Sequence, residues 1–255
     1  MPHSREMTGL RAVITGASSG IGEAIAIELA EAGVHCFLQW RQNRSGVELV
    51  AARIRNLGLM CKTYQCDFAD SNQHSPLVDA AWNWKHGIDI WVNNAGADVL
   101  TGDAAGWTFE QKLDNLVAVD VATTMRLTRL AGQRMKAQGH GAIVNIGWDQ
   151  AEVGMAGDSG ELFAATKGAV MAFTRSAAKS LAPRVRVNCV APGWIKTSWG
   201  ETASEYWQAR AKRESLLDRW GTPEDVARAV RFLALPASGF ITGHILPVNG
   251  GLRMR

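Results

Sequence analysis

The sequence VITGASSGIGEA, residues 13–24, lies near the beginning of a chain of 255 residues and carries its strongest local pattern. The apolar, β-branched run before Gly16 predicts a strand, and apolar residues at helical spacing begin directly after the glycines. Glycines in such a turn let the backbone bend sharply and let a pyrophosphate approach the free N–H groups of a helix N-terminus. The pattern of Gly16, Gly20 and Gly22 therefore predicts a strand–turn–helix unit that binds a dinucleotide.

Strand-like and helix-like stretches alternate along most of the chain. The later strand-like runs are HCFLQW (35–40), CKTYQCD (61–67), DIWVNNAG (89–96), GAIVNIG (141–147), VRVNCVAPG (185–193) and ITGHILPVNGG (241–251). Strands alternating with long helices, including one over about 109–138, indicate βαβ units with right-handed crossovers. The prediction is one α/β domain over residues 1–255, a Rossmann-like doubly wound parallel sheet with helices on both faces.

The segment 196–219 interrupts this alternation. It follows the carboxyl end of a predicted strand, and it is charged, rich in tryptophan and predicted to be helical. Long insertions at this end of a parallel sheet commonly cover a substrate, so we predict a substrate lid. The chain has ten tryptophans and two tyrosines. Core packing is the simpler interpretation of any one tryptophan, but four could line a pocket: Trp148, Trp194, Trp199 and Trp207.

Composition narrows the classes of partner. The formal net charge is +3 with no long basic run, so we expect no nucleic acid partner. No window reaches the roughly 18 apolar residues of a membrane span, and the first strand is not preceded by a signal-peptide core, so we expect a cytoplasmic protein without a membrane partner. No CxxC pair occurs, which argues for reduced thiols rather than a metal site or disulfide framework at Cys36, Cys61, Cys66 and Cys189.

Several further motifs resemble the short-chain dehydrogenase/reductase family, close to its 3-oxoacyl-carrier-protein reductase and glucose dehydrogenase type. They are TGASSGIG (15–22), CDFAD (66–70), NNAG (93–96), APGWIKT (191–197) and the run RWGTPEDVARAVRFLALPASGFITGHILPVNGG (219–251). The motifs occur in the family's order and cover nearly the whole chain. The resemblance implies an oxidoreductase that uses a nicotinamide cofactor, acts on a small-molecule substrate and forms a homotetramer.

The resemblance also implies which residues bind the cofactor. Asp67 would meet the adenine, Thr197 the nicotinamide amide, and Lys167 the nicotinamide ribose. The full predicted set is Gly16, Ser18, Ser19, Gly20, Ile21, Gly22, Arg41, Asp67, Phe68, Asn94, Ala95, Gly96, Lys167, Pro192, Gly193, Ile195 and Thr197.

The end of the second predicted strand favours NADP(H) over NAD(H). Proteins that bind NAD usually place an acidic residue there for the ribose hydroxyls, whereas those that bind NADP place a basic residue for the 2′-phosphate. The run LQWRQNRSG (38–46) has no acid but contains Arg41 and Arg44. A guanidinium can bind a phosphate bidentately. Two solvated loop arginines are the alternative interpretation, but the missing carboxylate favours NADP independently.

Three of the four catalytic positions implied by the family hold other residues. The family uses a tyrosine as proton donor or acceptor, a lysine one helical turn later, a serine after the fifth strand and an asparagine on the fourth helix. Lys167 matches the lysine, but Phe163 stands at the tyrosine, Trp148 at the serine and Asp120 at the asparagine. Phenylalanine has no titratable group and cannot be a general acid. Three changes together indicate a rebuilt site.

Acidic residues near Phe163 are candidates to replace the missing acid. The loop and the start of the next helix supply Asp149, Glu152, Asp158 and Glu161. Asp149 is the best candidate, because a carboxylate walled by tryptophan can have a raised pKa. Beside Lys167 its pKa would instead fall, and the alternative role for Asp149 is to cap a turn. Tyr206, in the predicted lid, is a further candidate.

Three functions are compatible with these residues. The first is an NADP(H)-dependent oxidoreductase with an atypical site, which suits an activated carbonyl, an imine or iminium, or a conjugated double bond. The second is a catalytically inactive relative that binds a nucleotide or ligand, since fold alone does not fix function. A non-redox lyase or isomerase is a weaker third. The residue types kept for the nicotinamide half, Lys167 and Thr197 among them, favour the oxidoreductase.

Overall fold

The predicted alternation forms a parallel sheet of seven strands in a computed structural model, which describes residues 6–252. The strands are Arg11–Ile14 (β1), His35–Trp40 (β2), Cys61–Gln65 (β3), Ile90–Asn93 (β4), Gly141–Ile146 (β5), Val185–Pro192 (β6) and Ile245–Val248 (β7). Their order across the sheet is β3-β2-β1-β4-β5-β6-β7. The order reverses between β1 and β4, and ligands of such sheets bind beyond the carboxyl ends of the strands at this reversal.

Helices cover both faces of the sheet, which confirms the doubly wound prediction. They are Gly20–Glu31 (α1), Arg44–Asn56 (α2), His74–Lys85 (α3), Phe109–Leu116 (α4), Thr123–Gln138 (α5), Asp158–Leu181 (α6), Ser198–Thr202 (α7), Glu205–Glu214 (α8) and Pro223–Ala234 (α9). Neighbouring strand residues point to opposite faces, so Ile14 belongs to the core cluster on the side of α1, α2 and α9, while Val13 belongs to the cluster on the side of α3, α5 and α6. Within residues 6–252, no helix is long and apolar enough to cross a membrane.

The long helix predicted over residues 109–138 is present but interrupted. α4 and α5 are joined by a π-helical stretch, Val117–Ala122, which contains Asp120. The Asp120 side chain is 1% exposed, and its Oδ1 accepts a hydrogen bond of 2.7 Å from the Ala97 amide, just after β4. Single π-helical turns inside helices occur frequently at functional sites. This one places a buried carboxylate beside the reversal in strand order.

A buried polar network ties α6, the helix that carries Lys167, to the middle of the sheet. Asn93 Nδ2 on β4 donates to Asn145 Oδ1 on β5 (2.8 Å) and to Thr128 Oγ1 on α5 (3.0 Å). Asn145 Nδ2 in turn donates to Thr174 Oγ1 on α6 (2.9 Å). All four side chains are buried. Satisfied polar groups in a core fix one arrangement of the elements that share them.

Replacing Asn145 with leucine should destabilise the fold, because Asn93 Nδ2 and the Thr174 hydroxyl lose a buried partner. We expect Asn145→Leu to lower the free energy of unfolding by about 2–4 kcal/mol, measured by urea denaturation. Thr63→Ala, which removes a hydrogen bond on the exposed edge strand β3, is the control and should change it by about 0.5 kcal/mol or less. A loss as small as the control's would show that the network does not hold α6.

Candidate active site

Two cavities open at the carboxyl ends of the strands. The glycine-loop cavity, about 490 Å³, is lined by residues that follow β1, β2, β3 and β4, among them Gly16, Arg41 and Asp67. The tryptophan cleft, about 590 Å³, is lined by residues that follow β5 and β6 and by residues from α6 and the segment 196–219. This is the edge of the sheet at which a dinucleotide and its substrate are expected.

The glycine-rich turn has a backbone that only glycine adopts readily. Gly16 and Gly20 have φ angles of +64° and +57°. A Cβ on Gly22 would collide with the Gly16 carbonyl oxygen, so the turn closes tightly on the start of α1. Ser19, the N-cap of α1, makes no side-chain cap hydrogen bond. The first N–H groups of the helix are therefore not capped by that side chain, and the turn fits a pyrophosphate.

A buried glutamine that no sequence motif predicted holds this turn in place. Gln39 Oε1 accepts a hydrogen bond from the Gly16 amide (2.8 Å), and Gln39 Nε2 donates to the Cys66 carbonyl (2.6 Å). From the other side, Asn94 Nδ2 donates to the Thr15 carbonyl (2.9 Å). Gln39 lies in the buried strand β2, where a polar side chain without a partner would be costly. A glutamine within a largely apolar strand is the sequence feature that could have indicated this role.

Arg41 is exposed at the end of β2 and lines the glycine-loop cavity together with Asp67. Its guanidinium contacts the Gln42 side-chain oxygen (3.3 Å) and has no carboxylate partner among residues 6–252. Arg44, the first residue of α2, does not line this cavity. Of the two predicted arginines, the structure therefore brings only Arg41 to the place where a ribose phosphate would lie.

The remaining predicted cofactor residues divide between the two cavities. Ser18, Ser19, Phe68, Asn94, Ala95 and Gly96 line the glycine-loop cavity with Gly16, Arg41 and Asp67. Ile21, Lys167, Pro192, Gly193, Ile195 and Thr197 line the tryptophan cleft. Gly20 lies against the Thr197 side chain, and Gly22 is buried under the turn. A dinucleotide bound by the predicted set would therefore have to run from the glycine-loop cavity past Gly20 to the tryptophan cleft.

Five aromatic rings line the tryptophan cleft. Trp194, Trp199 and Trp207 pack against one another with ring centroids 5.5–6.2 Å apart. Trp148 and Phe163 pack edge to face at 6.2 Å. The four tryptophans that could line a pocket by sequence all do so, whereas Tyr206 is exposed and does not.

Lys167 lies in the cleft as half of a buried ion pair. Its Nζ is 2.8 Å from Asp120 Oδ2, and it also donates to the Ile146 carbonyl at the end of β5 (3.4 Å). The lysine side chain is 13% exposed and the aspartate 1%. Phe163 precedes Lys167 by one helical turn, and Ser159 precedes Phe163 by another, so the three share a face of α6. Asp158, one of the acidic candidates named from the sequence, and Ser159, which was not predicted, also line the cleft.

Asp149, the predicted replacement acid, does not lie in the cleft. A short 3₁₀ turn, Asp149–Ala151, follows β5, and the carboxyl group lines a separate cavity with Asn249 and Leu252. Asn249 Nδ2 donates to Asp149 Oδ2 (3.1 Å), and Oδ1 is buried without a partner. Burial raises the pKa of the Asp149 carboxyl to about 6, opposed by the hydrogen bond from Asn249. The shift has the expected direction, but it arises away from Lys167.

The whole chain is similar to known proteins. A family model described as enoyl-(acyl carrier protein) reductase matches residues 16–253. The 3-oxoacyl-[acyl-carrier-protein] reductase FabG of Staphylococcus aureus is 32% identical over 246 residues, which cover 95% of this chain and 98% of that protein.

Solved structures agree with this similarity. A short-chain dehydrogenase of Burkholderia cenocepacia, in complex with NADP, is 31% identical with a TM-score of 0.87, and the match covers 96% of this chain and 98% of that one. A 7α-hydroxysteroid dehydrogenase, in complex with NADH and 7-oxo glycochenodeoxycholic acid, is 28% identical with a TM-score of 0.88, covering 99% and 98%.

The raised pKa of Asp149 predicts a pH-dependent effect on stability. From its ordinary 3.8 to about 6, the folded protein binds this proton more tightly than the unfolded chain does. The contribution of Asp149 to stability therefore falls as pH rises through this window and stays low above it. Relative to wild type, Asp149→Asn should gain about 2–3 kcal/mol of unfolding free energy between pH 4 and pH 8.

Urea denaturation at both pH values measures this gain. Asp114→Asn, which removes an exposed carboxylate on α4, is the matched control and should differ from wild type by a nearly constant amount. A pH-independent difference for Asp149→Asn as well would show that the carboxyl group titrates normally.

Proposed function

The chain belongs to the short-chain dehydrogenase/reductase family, and we propose that it is an NADP(H)-dependent oxidoreductase that works without a tyrosine proton donor. Its substrate is a small carbonyl, imine or conjugated compound. The observation that carries this proposal is the Lys167–Asp120 ion pair. It keeps an ammonium group in a cleft next to the predicted dinucleotide path, although Phe163 occupies the tyrosine position.

The residues present fit a dinucleotide along that path. The N-terminus of α1 would hold the pyrophosphate, Arg41 the 2′-phosphate, and Lys167 the nicotinamide ribose. Thr197 would contact the nicotinamide amide, by resemblance to the family. When bound, NADPH would supply a hydride. The NADP complex of the Burkholderia relative supports this choice, and the exposed Arg41 without a carboxylate partner supports it independently.

The side chains around Phe163 offer little acid catalysis, and the carboxyl group that lines the described cleft, Asp158, is exposed at the start of α6. Phe163 and Trp148 present rings where the family has hydroxyl groups. Lys167 is held by Asp120, and the hydroxyl groups that line the described cleft belong to Ser159 and Thr197. A serine or threonine hydroxyl can donate a hydrogen bond to a substrate but does not give up a proton near neutral pH. Such a cleft suits a substrate that accepts a hydride without needing a proton at the same step.

Asp120 gives Lys167 an environment different from that implied by the family. Its carboxylate lies directly against the ammonium group, whereas an asparagine would leave the lysine charge uncompensated. A buried ion pair is costly to break, because removing one partner leaves a charge unpaired. We propose that Asp120 fixes Lys167 in position for the ribose and neutralises its charge toward the substrate.

Three further features belong to the proposal. Residues 1–255 form one domain, in which the segment 196–219 acts as the substrate lid. The assignment of the lid is supported by Trp199 on α7 and Trp207 on α8, since both side chains line the cleft. The protein works as a cytoplasmic homotetramer, as the resemblance implies.

The main alternative is a catalytically inactive protein that binds a nucleotide or ligand. The contact between Trp148 and Phe163 favours it, because two catalytic positions are occupied by rings that pack on each other. Nucleotide binding is common to both functions, whereas turnover separates them.

Direct titration with NADPH and NADH tests the cofactor assignment. We expect wild type to bind NADPH at least about tenfold more tightly than NADH, and Arg41→Ala to lose most of that preference because one charge-assisted phosphate contact disappears. Arg44→Ala is the matched control, since Arg44 does not line the cavity. Preferential NADH binding would contradict the NADP assignment, and binding of neither nucleotide would contradict the oxidoreductase.

Restoring the phenol tests the missing proton donor. Phe163→Tyr should raise carbonyl reduction by about tenfold or more, below the ~10²–10⁴-fold of a fully positioned acid because Trp148 replaces the serine hydroxyl that the family uses to position the carbonyl. Steady-state NADPH oxidation with a panel of activated ketones measures the change, and Phe163→Leu is the control for altered packing. An increase with leucine as large as that with tyrosine would show that space, rather than the proton, limits the reaction.

A further inference from the structure

The tryptophan cluster at the cleft already holds a cation. Arg210 on α8 places its guanidinium carbon 5.0 Å from the ring centroid of Trp207 and 5.7 Å from that of Trp194. Arg210 does not line the cleft, so it lies against these rings outside the cavity. Indole rings attract cations through the negative potential over their faces. The same two rings also line the cleft.

A carboxylate braces this cluster. Glu214 Oε2 accepts a hydrogen bond from Trp194 Nε1 (2.8 Å), and Glu214 Oε1 accepts one from Arg210 Nε (2.7 Å). Glu214 thereby neutralises the arginine and fixes the Trp194 ring. The aromatic wall is therefore preorganised, and a planar ligand that stacks on it would lose less free energy in ordering the site.

The charges around the cleft favour a cationic ligand over an anionic one. Two ionisable side chains line its described part, Lys167 and Asp158. Lys167 is compensated by Asp120 at 2.8 Å. Asp158, at the start of α6, is exposed and has no ion-pair partner within residues 6–252. One uncompensated negative charge thus faces a cavity walled by aromatic rings.

We propose that the tryptophan cleft takes a planar cationic substrate, an iminium ion fused to an aromatic ring, as the hydride acceptor of the oxidoreductase proposed above, on which this inference rests. The aromatic part stacks on Trp194, Trp199 and Trp207. Asp158 lies at the mouth as counter-charge.

The chemistry of an iminium ion matches the missing tyrosine. A reduced nicotinamide is the reductant, and the hydride forms a C–H bond at the iminium carbon. The π electron pair of the C=N⁺ bond moves onto nitrogen, which becomes a neutral amine. The charges balance without a proton, whereas a ketone would need one at oxygen. The absence of a proton donor at Phe163 and Trp148 would then not slow the reaction, and both rings add apolar surface to the cleft.

Binding of two shape-matched probes tests the proposal without any cofactor. N-Methyl-3,4-dihydroisoquinolinium is the planar cation, and 1-tetralone is its neutral counterpart. We expect wild type to bind the cation about tenfold or more tightly than the ketone, measured by calorimetry. Asp158→Asn should weaken binding of the cation about threefold or more and leave binding of the ketone unchanged. Asp114→Asn should change the affinity for neither probe.

A ring substitution and a turnover assay complete the test. Trp207→Leu should weaken binding of the cation about fivefold or more, whereas Trp84→Leu, on α3, should leave that affinity unchanged. With NADPH present, the iminium probe should be reduced at least about tenfold faster than 1-tetralone.

The outcomes separate the two proposals. Equal or tighter binding of the ketone would overturn the substrate class, even if NADPH binds and the oxidoreductase stands. Failure to bind NADPH would overturn the oxidoreductase and with it the substrate role, whatever the cation does. Cation binding that survives Asp158→Asn and Trp207→Leu unchanged would place the probe outside the cleft and overturn the proposal.

Discussion

The ion pair between Lys167 and Asp120 is the constraint on which the rest of the site depends. Two opposite charges at 2.8 Å, with the aspartate almost fully buried, are stable only if both stay in place. Each partner comes from a different helix, so the pair also couples the π-helical stretch to α6. Whatever binds in the cleft meets an ammonium group whose position and charge are already set.

The fold supplies both halves of that pair at one edge of the sheet. The hydrogen bond from the Ala97 amide orients Asp120 from the end of β4, and the network through Asn145 anchors α6 to the strands that it crosses. The same edge carries the glycine turn, because β1 lies next to β4 where the strand order reverses. The predicted dinucleotide path and the tryptophan cleft thus lie at the same edge of the sheet.

Much of this could be predicted from local sequence. The glycine turn, the strands and the order of elements follow from patterns within a few residues, and the structure confirms the doubly wound sheet. The π-helical stretch could not be seen, since VAVDVA has the same apolar spacing as an ordinary helix. Asp149 was predicted to lie against the tryptophans of the cleft, but a single 3₁₀ turn directs its side chain to a separate cavity. The path of one turn is a tertiary property that spacing does not encode.

The packing of Trp194, Trp199 and Trp207 in the aromatic wall is a second feature that the local sequence does not predict. The tryptophans near the cleft were visible in the sequence, but their common packing depends on α7 and α8 folding back over the end of β6. Arg210 and Glu214 brace that wall through contacts that no periodicity indicates. The sequence predicted that these tryptophans could line a pocket, but their contacts with Arg210 and Glu214 are visible only in the structure.

A crystal structure of the protein with NADP⁺ would test the role of the Lys167–Asp120 pair directly. We predict the nucleotide along the glycine turn with its 2′-phosphate at Arg41, and a nicotinamide ribose hydroxyl within roughly 3 Å of Lys167 Nζ. Asp120 should remain paired with the lysine. A Lys167 side chain turned away from the ribose, or a nucleotide bound elsewhere, would contradict the central role given to the ion pair.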